Sequence, residues 1–299
     1  MYDVIVIGAG PAGISAAIYA VSRGCRTLVL ERGEVGGVIG KVSTVTHYAG
    51  IVAQETGVSF AARLKAQALA AGVEIVFGEA TAVSLRGKMK TVTVREKQFA
   101  APKLILANGC TARRLGIPGE ETLRGRGVED NAALAGPRYQ GKNIYVVGGA
   151  DGAVKEALFL ARYAARLTIV HFEPRLGCIA EFLQKVEATP NISVCTGYRL
   201  AAIHGDEQIE ALELVSEQDG RVRRVEDAGC GVFVYAGSTP NTALYPELSL
   251  GNGFIPVEEN MQTQIPGVYA VGDIRVKQVR QVATAVADGA IAGIHAATH

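Results

Sequence analysis

The sequence predicts an α/β fold in which a second parallel-sheet domain is inserted into the first. The chain has 299 residues, of which 48% are hydrophobic and 20% charged, a composition and length that suit two buried cores better than one. A β-branched run, a glycine turn and a helix of small residues open the chain, and the same order recurs near its middle. We therefore predict two Rossmann-like domains of the three-layer ββα type.

The first strand-turn-helix unit lies at the N-terminus. Val4–Ile7 is β-branched and apolar, residues 12–22 have small and apolar residues at helical spacing, and residues 27–30 form a second strand. Residues 4–22 carry no charge, but the glycines and Pro11 interrupt the stretch and Asp3 stands where a signal peptide needs positive charge. We therefore expect neither a membrane span nor a secretory signal.

The remaining elements set the predicted domain boundaries. Before the second unit we expect a helix near 60–71, strands at 73–76 and 104–106, and a hairpin-like region at 82–95. The second unit has strands at Asn143–Val147 and 167–170 around a helix at 153–163, and ends after a strand at 232–235. Residues 115–138 are rich in Gly, Pro and charge and predict a connection. We predict a discontinuous first domain, 1–114 and 241–299, and a second domain, 115–240.

Charge and cysteine content exclude several function classes. Thirty Lys and Arg residues against 29 Asp and Glu residues leave a formal net charge of +1, so there is no net positive field to hold nucleic acid. The five cysteines are scattered, without the spacing of metal ligands or of a redox pair. We expect no metal site, and a reducing, cytoplasmic location fits best.

The first glycine turn has the pattern of a dinucleotide-binding fingerprint. Gly8 would allow the tight turn, Gly10 would let the backbone approach a pyrophosphate, and Gly13 would let helix and strand pack closely. The helix N-terminus that follows favours negative charge. Glu31 ends the second strand, where an acidic residue binds an adenosine ribose. We therefore expect a dinucleotide at this turn.

Further landmarks resemble the low-molecular-weight thioredoxin reductases, which are flavoproteins related to the class II pyridine nucleotide-disulfide oxidoreductases. The resemblance covers essentially the whole chain. Its landmarks are Glu31-Arg32-Gly33, Gly36-Gly37, His47-Tyr48-Ala49-Gly50, Leu106-Ala107-Asn108-Gly109, residues 267–275, Arg280-Gln281-Val282 and Ala287-Asp288-Gly289-Ala290.

The resemblance implies FAD in the first domain and a homodimer. It implies that Asp273 binds the ribityl chain and that Arg280, Gln281 and Val282 line the isoalloxazine. The expected FAD-binding residues are Gly8, Gly10, Pro11, Ala12, Gly13, Glu31, Arg32, Gly36, Gly37, Val38, His47, Val83, Asn108, Gly109, Gly272, Asp273, Arg280, Gln281 and Val282. The catalytic residues are unknown, with His47 as a weak candidate because its imidazole could move protons during flavin reduction.

The second glycine turn departs from the pattern of the family. Its expected nicotinamide-nucleotide residues are Gly148, Gly149, Asp151, Gly152, Ala153 and His171. Ala150 stands where the family has a glycine, and Phe172 and Glu173 follow His171 where the family has two arginines that bind the 2′-phosphate of NADPH. NADPH is therefore disfavoured. Two alternatives stay open, namely NADH or no nicotinamide nucleotide.

The redox-active Cys-x-x-Cys of the family is absent. In the ungapped register between Val128 and Gly136, Asn131 and Leu134 stand where the resemblance places the two cysteines, and neither side chain exchanges disulfides. Cys110, close in sequence to the Asn108-Gly109 landmark, fits a small buried residue better than a redox group.

Three functional hypotheses follow. The leading one is an FAD-dependent oxidoreductase that passes electrons directly between flavin and an external partner, which is a redox protein, a nicotinamide nucleotide, a quinone or oxygen. The second is a flavin-binding protein without turnover. The third is a thioredoxin-disulfide reductase that uses a non-standard cysteine such as Cys110 or Cys178.

Overall fold

The computed structural model describes residues 1–299, which fold into two compact units. The first unit comprises residues 1–40, 44–111 and 239–299, and the second comprises residues 41–43 and 112–238. The order is that of a domain inserted into another. Apart from the short segment 41–43, the chain passes between the units at 111/112 and 238/239, where the sequence predicted 114/115 and 240/241. We propose that the two units are the domains.

The chain forms eighteen strands and six α-helices. The strands are β1 (Val4–Ile7), β2 (Thr27–Glu31), β3 (Glu74–Phe77), β4 (Ala80–Ser84), β5 (Lys90–Val94), β6 (Lys97–Ala101), β7 (Lys103–Leu106), β8 (Cys110–Ala112), β9 (Val128–Glu129), β10 (Asn143–Val147), β11 (Arg166–His171), β12 (Ile192–Thr196), β13 (Tyr198–His204), β14 (Ala211–Ser216), β15 (Val222–Glu226), β16 (Gly231–Val234), β17 (Ser238–Pro240) and β18 (Val268–Ala270). The helices are α1 (Pro11–Val21), α2 (Gly57–Ala70), α3 (Ala132–Ala135), α4 (Asp151–Leu160), α5 (Ala180–Glu187) and α6 (Val282–Thr298). Short 3₁₀ helices lie at Gly37–Lys41, Gly136–Tyr139 and Gly272–Ile274.

The first unit has three layers around a parallel sheet of strand order β18-β7-β1-β2-β3. Alternate residues of β1 point to opposite faces, as expected for a strand buried on both sides. Val4 and Val6 belong to the cluster that contains α1 and α6, while Ile5 and Ile7 belong to the cluster that contains the antiparallel sheet β4-β5-β6. The ββα layering predicted for this domain is therefore present.

Helices α1 and α6 pack closely because α6 presents glycines to α1. A Cβ atom on Gly289 would lie 2.1 Å from the carbonyl oxygen of Ala12, and one on Gly293 would lie 2.3 Å from that of Ala16. Any side chain at these positions would separate the helices. This close packing brings the C-terminal segment of the chain against the first glycine turn.

The second unit repeats the three-layer plan. Its parallel sheet has the order β12-β11-β10-β16-β9, with an antiparallel sheet β13-β14-β15. Ile144 and Val146 pack with α4 and α5, while Tyr145 and Val147 pack with the antiparallel sheet. The segment that the sequence presents as a connection contributes β9 and α3, because Val128 is buried against the sheet and pairs with Val232. Two-residue strands and one-turn helices are too short to show a periodicity.

Candidate functional site

The first glycine turn has a backbone that only glycine can form. Gly8 follows β1 with φ +105°, and a Cβ atom there would lie 2.5 Å from the carbonyl oxygen of Ala107. A Cβ atom on Gly13 would lie 1.9 Å from the carbonyl oxygen of Gly8. The turn and the start of α1 are therefore in direct contact, which fixes the direction in which the helix begins.

The second glycine of the turn, Gly10, faces open space. Gly10 precedes α1 and its side chain position is empty, since the nearest atom to an added Cβ is the carbonyl oxygen of Gly36 at 4.0 Å. Pro11 occupies the first helical turn, and no side chain caps the helix or adds an acidic group there. The backbone N–H groups and the helix dipole are thus left facing a cradle suited to a phosphate.

Glu31 is held in place by the turn itself. This buried carboxylate ends β2, and its Oε2 accepts a hydrogen bond from the Ala9 N–H at 2.7 Å while its Oε1 accepts one from the Gly33 N–H at 2.8 Å. Each carboxylate oxygen can accept a further bond. Arg32 points to the surface, 3.9 Å from Glu79.

A second turn closes over the first. The Gly36 N–H donates to the carbonyl oxygen of Ala9 at 2.8 Å, and a Cβ atom on Gly37 would lie 3.6 Å from the Cα atom of Gly10. Val38, one residue later, is exposed. The structure therefore brings together the glycines at positions 8–13 with those at 36 and 37, which lie apart in the sequence.

The C-terminal landmark joins the same place. Gly272 has φ +73°, and a Cβ atom there would lie 2.9 Å from the side chain of Ala12. The adjacent Asp273 is half-buried, and burial raises the pKa of its carboxyl while the charges of Lys277 and Arg280 oppose the rise. The Cys110 thiol donates to the backbone carbonyl of Asp273 at 3.2 Å.

The start of α6 carries a buried polar atom that no group of the chain satisfies. The Nε atom of Arg280 is buried without a hydrogen-bond partner, and its guanidinium stacks 4.2 Å from the ring centroid of Phe254. Gln281 follows as the residue preceding α6, and its N–H donates to the Thr284 hydroxyl at 3.2 Å. Val282 is the first residue of the helix. An unpartnered buried donor needs an acceptor from elsewhere, and a bound cofactor would supply one.

Asn108 and Gly109 lie in the loop after β7. The Asn108 side chain donates to the carbonyl oxygen of Asn241 at 2.8 Å and accepts from the Tyr245 hydroxyl at 2.7 Å. These bonds tie the two segments by which the chain leaves and re-enters the first unit.

Two further predicted site residues lie on other segments of the first unit. His47 is exposed in the loop before α2 and has φ +57°. Val83 lies in β4, where it is paired with Val92 and packs against the hydrophobic cluster of the antiparallel sheet.

The second glycine turn has the same backbone but different surroundings. Gly148 has φ +133°, and a Cβ atom there would lie 2.5 Å from the carbonyl oxygen of Tyr235. Ala150 precedes α4 without a capping side chain, and Asp151 accepts a hydrogen bond from the Ile179 N–H at 2.8 Å. Gly152 faces open space, whereas Ala153 is buried.

His171 fills the space beside this turn. A Cβ atom on Gly149 would lie 2.5 Å from the His171 ring, so glycine is required here by the imidazole. The ring is buried, with Nε2 lying 3.2 Å from the Glu173 carboxylate and Nδ1 lacking a partner. Phe172 and Glu173 are exposed. An anionic phosphate at this strand end would therefore meet a carboxylate and an aromatic ring.

Asn131 and Leu134 have structural roles in α3. The Asn131 side chain caps the helix by accepting from the Leu134 N–H at 3.1 Å, and the Leu134 side chain is 75% exposed. No two of the five cysteines form a disulfide. Burial raises the pKa of the Cys25, Cys178 and Cys195 thiols, and it raises that of Cys230 to about 12, which disfavours the reactive thiolate form.

Sequence reasoning missed an ionic cluster beneath the first site. Arg275, Lys277 and Asp288 are in contact, and the last two are almost fully buried. The one available signal was a charged residue, Asp288, within the small-residue pattern of α6. Elsewhere, no group of three or more His, Cys, Asp or Glu residues is arranged to hold a metal, and no helix is long and apolar enough to cross a membrane.

Comparison with known proteins identifies relatives along the whole chain. The family model of the pyridine nucleotide-disulphide oxidoreductases matches residues 2–289. A thioredoxin reductase of Treponema pallidum is 35% identical over 299 residues, covering 100% of this chain and 97% of that protein.

Solved structures give the same answer for the fold. A thioredoxin reductase of Lactococcus lactis, described as the FR conformation, superposes with a TM-score of 0.94 at 33% identity, covering 99% of this chain and 98% of that one. A ferredoxin-flavin thioredoxin reductase of Clostridium acetobutylicum has a TM-score of 0.54 at 27% identity, with 99% and 96% covered. The α/β fold with two Rossmann-like domains is thereby confirmed. The fold carries two glycine turns of the dinucleotide-binding type, and the relatives match it over nearly their whole length. The chain therefore belongs to the pyridine nucleotide-disulphide oxidoreductase family and is a flavin-dependent oxidoreductase like the thioredoxin reductases.

Proposed function

We propose that this chain is an FAD-dependent oxidoreductase that works without the redox-active disulfide of its relatives and passes electrons directly between the flavin and an external partner. The proposal rests on one observation about α3, at the two positions where the family has its redox-active cysteines. The Asn131 side chain caps this helix, and the Leu134 side chain is exposed. Neither side chain can accept electrons. No Cys-x-x-Cys occurs anywhere in the chain.

The residues of the first unit fit FAD. The open cradle at Gly10 would take the pyrophosphate, Glu31 would accept from the adenosine ribose, and Asp273 would accept from the ribityl chain. The unpartnered Nε of Arg280 is a donor for the same cofactor. FAD, when bound, supplies a ring that takes up and releases two electrons. The chain's own contribution is to bind and orient it and to place the N-terminus of α6 beside it.

The electron donor is not expected to be NADPH. Glu173 would repel a 2′-phosphate at the end of β11, and the His171 ring already occupies space beside Gly149. NADH binding or no nicotinamide binding are the two alternatives that this arrangement supports. A redox protein is a reasonable partner, since one similar structure carries ferredoxin in its name.

A thioredoxin-disulfide reductase with a non-standard cysteine is less well supported. Cys178 has a pKa raised by burial, so at neutral pH its thiol is mostly protonated and a poor nucleophile. We also propose, by family analogy, a cytoplasmic homodimer.

The decisive experiment counts electrons. The purified protein is reduced anaerobically with dithionite, and we expect two electrons per FAD because no internal disulfide is reduced. The matched control is the variant Asn131→Cys with Leu134→Cys, which reinstates the pair at the cap and third residue of α3 and should take up four. Four electrons in the wild type would contradict the proposal.

Turnover experiments distinguish the remaining functional hypotheses. A variant with all five cysteines changed to serine should still reduce and reoxidise its FAD. The hypothesis of a thioredoxin-disulfide reductase with a non-standard cysteine predicts instead that this variant is no longer reoxidised by thioredoxin. A flavin that is reduced by dithionite but is reoxidised by none of a ferredoxin, a quinone and oxygen would favour the flavin-binding protein without turnover.

A further inference from the structure

A small surface cavity of the second unit lies at the edge of the parallel sheet where its strands begin. Its volume is about 170 Å³, and Gly127, Lys142 and Cys230 are among the residues that line it. They immediately precede β9, β10 and β16, which run parallel in one sheet. The second glycine turn follows the other end of β10, at Gly148. This cavity, the strand-start pocket, is therefore separate from that turn.

The strand-start pocket is lined by basic side chains and by no acidic one. Arg126, Arg138 and Lys142 supply three positive charges. Arg138 is paired with the Glu129 carboxylate at 2.9 Å. Arg126 makes no hydrogen bond or ion pair within the chain, and the Lys142 ammonium lies over the Tyr139 ring, 6.0 Å from its centroid, without an ion pair. Two of the three cations therefore lack a counter-ion.

Two carboxylates at this edge of the sheet are engaged by other groups. Glu129, besides its ion pair, accepts a hydrogen bond from the Tyr139 hydroxyl at 3.0 Å. Asp227 accepts from the Asn143 side-chain amide at 2.9 Å and from the Tyr145 hydroxyl at 2.8 Å. Neither carboxylate pairs with the two remaining cations. Their counter-charge is therefore left to an anion from solution.

The polar ends of Lys142 and Gln208 converge above Gly229. A Cβ atom built on Gly229 would lie 3.4 Å from Oε1 of Gln208 and 3.7 Å from Nζ of Lys142. Glycine at this position leaves the space between the two side chains open. Gly125 also lines the pocket, and a Cβ atom there would meet nothing within 4 Å. Because side-chain amides and ammonium groups both donate hydrogen bonds, an oxyanion in this space would meet donors from two sides.

We propose that the strand-start pocket binds a dianionic phosphate group, which Arg126 holds through its guanidinium fork and Lys142 through its point charge. These are the two side chains that proteins use most for phosphate oxygens. At about 30 Å³ for each water-sized group, the volume of the pocket suffices for phosphate. Two unpaired cations match a doubly charged oxyanion rather than a single carboxylate. The group is inorganic phosphate or the phosphate monoester of a small metabolite.

The inference does not rest on the proposed binding of FAD. Every residue that lines the strand-start pocket belongs to the second unit. A wild type that took up no FAD would overturn the proposed function and leave this site to be tested by itself. Phosphate binding is therefore measured in saturating FAD, so that the first glycine turn does not compete for the anion.

Calorimetric titration with inorganic phosphate, at an ionic strength held constant with chloride, tests the proposal. We expect a single phosphate per chain. Arg126→Gln and Lys142→Gln should each raise the dissociation constant about tenfold or more, because each removes a charged donor. Both side chains are exposed, so both variants should unfold in denaturant like the wild type. Arg223→Gln is the matched control, since Arg223 is exposed on β15, makes no ion pair and lies outside the pocket.

The control variant should change the dissociation constant less than about twofold. An equal loss of affinity in Arg223→Gln would assign the binding to net charge and overturn the proposal. The absence of saturable phosphate binding would also overturn it, as would unchanged binding in Arg126→Gln and Lys142→Gln, which would place the anion elsewhere in the chain. Acetate bound as tightly as phosphate would overturn the assignment to a dianion.

A second titration distinguishes the two sources of the phosphate group. Glycerol 3-phosphate bound at least as tightly as inorganic phosphate would support a phosphate monoester as the ligand. Weaker binding of glycerol 3-phosphate would support inorganic phosphate. In both cases the same two cations are required, so the affinity for the tighter of the two ligands should fall in Arg126→Gln and in Lys142→Gln.

Discussion

The two glycine turns of this chain share a backbone and differ in what surrounds it. Gly8 and Gly148 both have positive φ, and each lies against the carbonyl of a neighbouring segment at the same 2.5 Å from an added Cβ. At the first turn, the space beside Gly10 at the N-terminus of α1 is open, and the buried Glu31 carboxylate binds the turn. Beyond the second turn the chain presents Ala150 and the His171 ring. Packing against the end of the adjacent parallel strand thus explains the glycine at each turn, while the neighbouring side chains determine which nucleotide, if any, is bound.

The largest expected effect comes from the tightest contact of the first turn. Gly13→Ala places a methyl group 1.9 Å from the carbonyl oxygen of Gly8, so the turn or α1 must move, and we expect a loss of about 3 kcal/mol in the free energy of unfolding. Denaturant unfolding of the apoprotein measures it. Gly152→Ala is the matched control, because nothing lies within 4 Å of its added Cβ. Equal effects of the two changes would contradict the steric argument.

The ribose positions of the two turns provide the second test. Glu31→Ala removes an acceptor that would bind the adenosine ribose and should weaken FAD binding by about 1.5 to 3 kcal/mol, the value for hydrogen bonds to charged groups. The corresponding change in the second unit, His171→Ala, should leave FAD binding unaltered. Titration of both apoproteins with FAD checks this. An unchanged affinity in Glu31→Ala would move the cofactor away from this turn.

Nucleotide preference tests the second turn directly. We expect NADPH to reduce the flavin no faster than an equal concentration of NADH, measured anaerobically by bleaching of the flavin absorbance. Replacing Phe172 and Glu173 by arginine removes a repulsive carboxylate and adds bidentate donors, and should raise the NADPH to NADH rate ratio about tenfold or more, roughly 1.4 kcal/mol. Faster reduction of the wild-type flavin by NADPH than by NADH would contradict the expectation that the second turn disfavours a 2′-phosphate.

The smallest effect concerns the cap of α3. Asn131→Ala removes the acceptor for the Leu134 N–H and should cost about 1 kcal/mol of stability, as is usual for a lost helix cap. Asn131→Asp keeps the cap and serves as the control. FAD affinity should be the same in all three proteins. A change in flavin binding on Asn131→Ala would give this residue a role beyond capping.

Several features could be predicted from residues close in sequence. The strand-glycine-helix order at Gly8 and again at Gly148, the acid at position 31 and the missing Cys-x-x-Cys are all local patterns. The repeated strand-glycine-helix order predicted the α/β fold with two Rossmann-like domains, and the landmark residues predicted the family; the comparisons confirm both. The individual cofactor-binding residues stay predictions. The structure brings the first glycine turn together with Gly36, Gly37 and Gly272, while His47 lies in the loop before α2 and Val83 lies in β4.

The sequence by itself determined where the chain turns and which backbone positions must lack a side chain, because periodicity and glycine spacing act over a few residues. Only the tertiary structure decided that Gly272 lies against Ala12, that the His171 ring covers Gly149, and that Asp288 binds two cations. Each of these is a contact between distant segments, formed because α6 packs on α1 and because β10 and β11 lie side by side. The partners of a buried charge such as that of Asp288 are set only when distant segments have packed together, and so this ionic cluster could not be predicted from the order of residues.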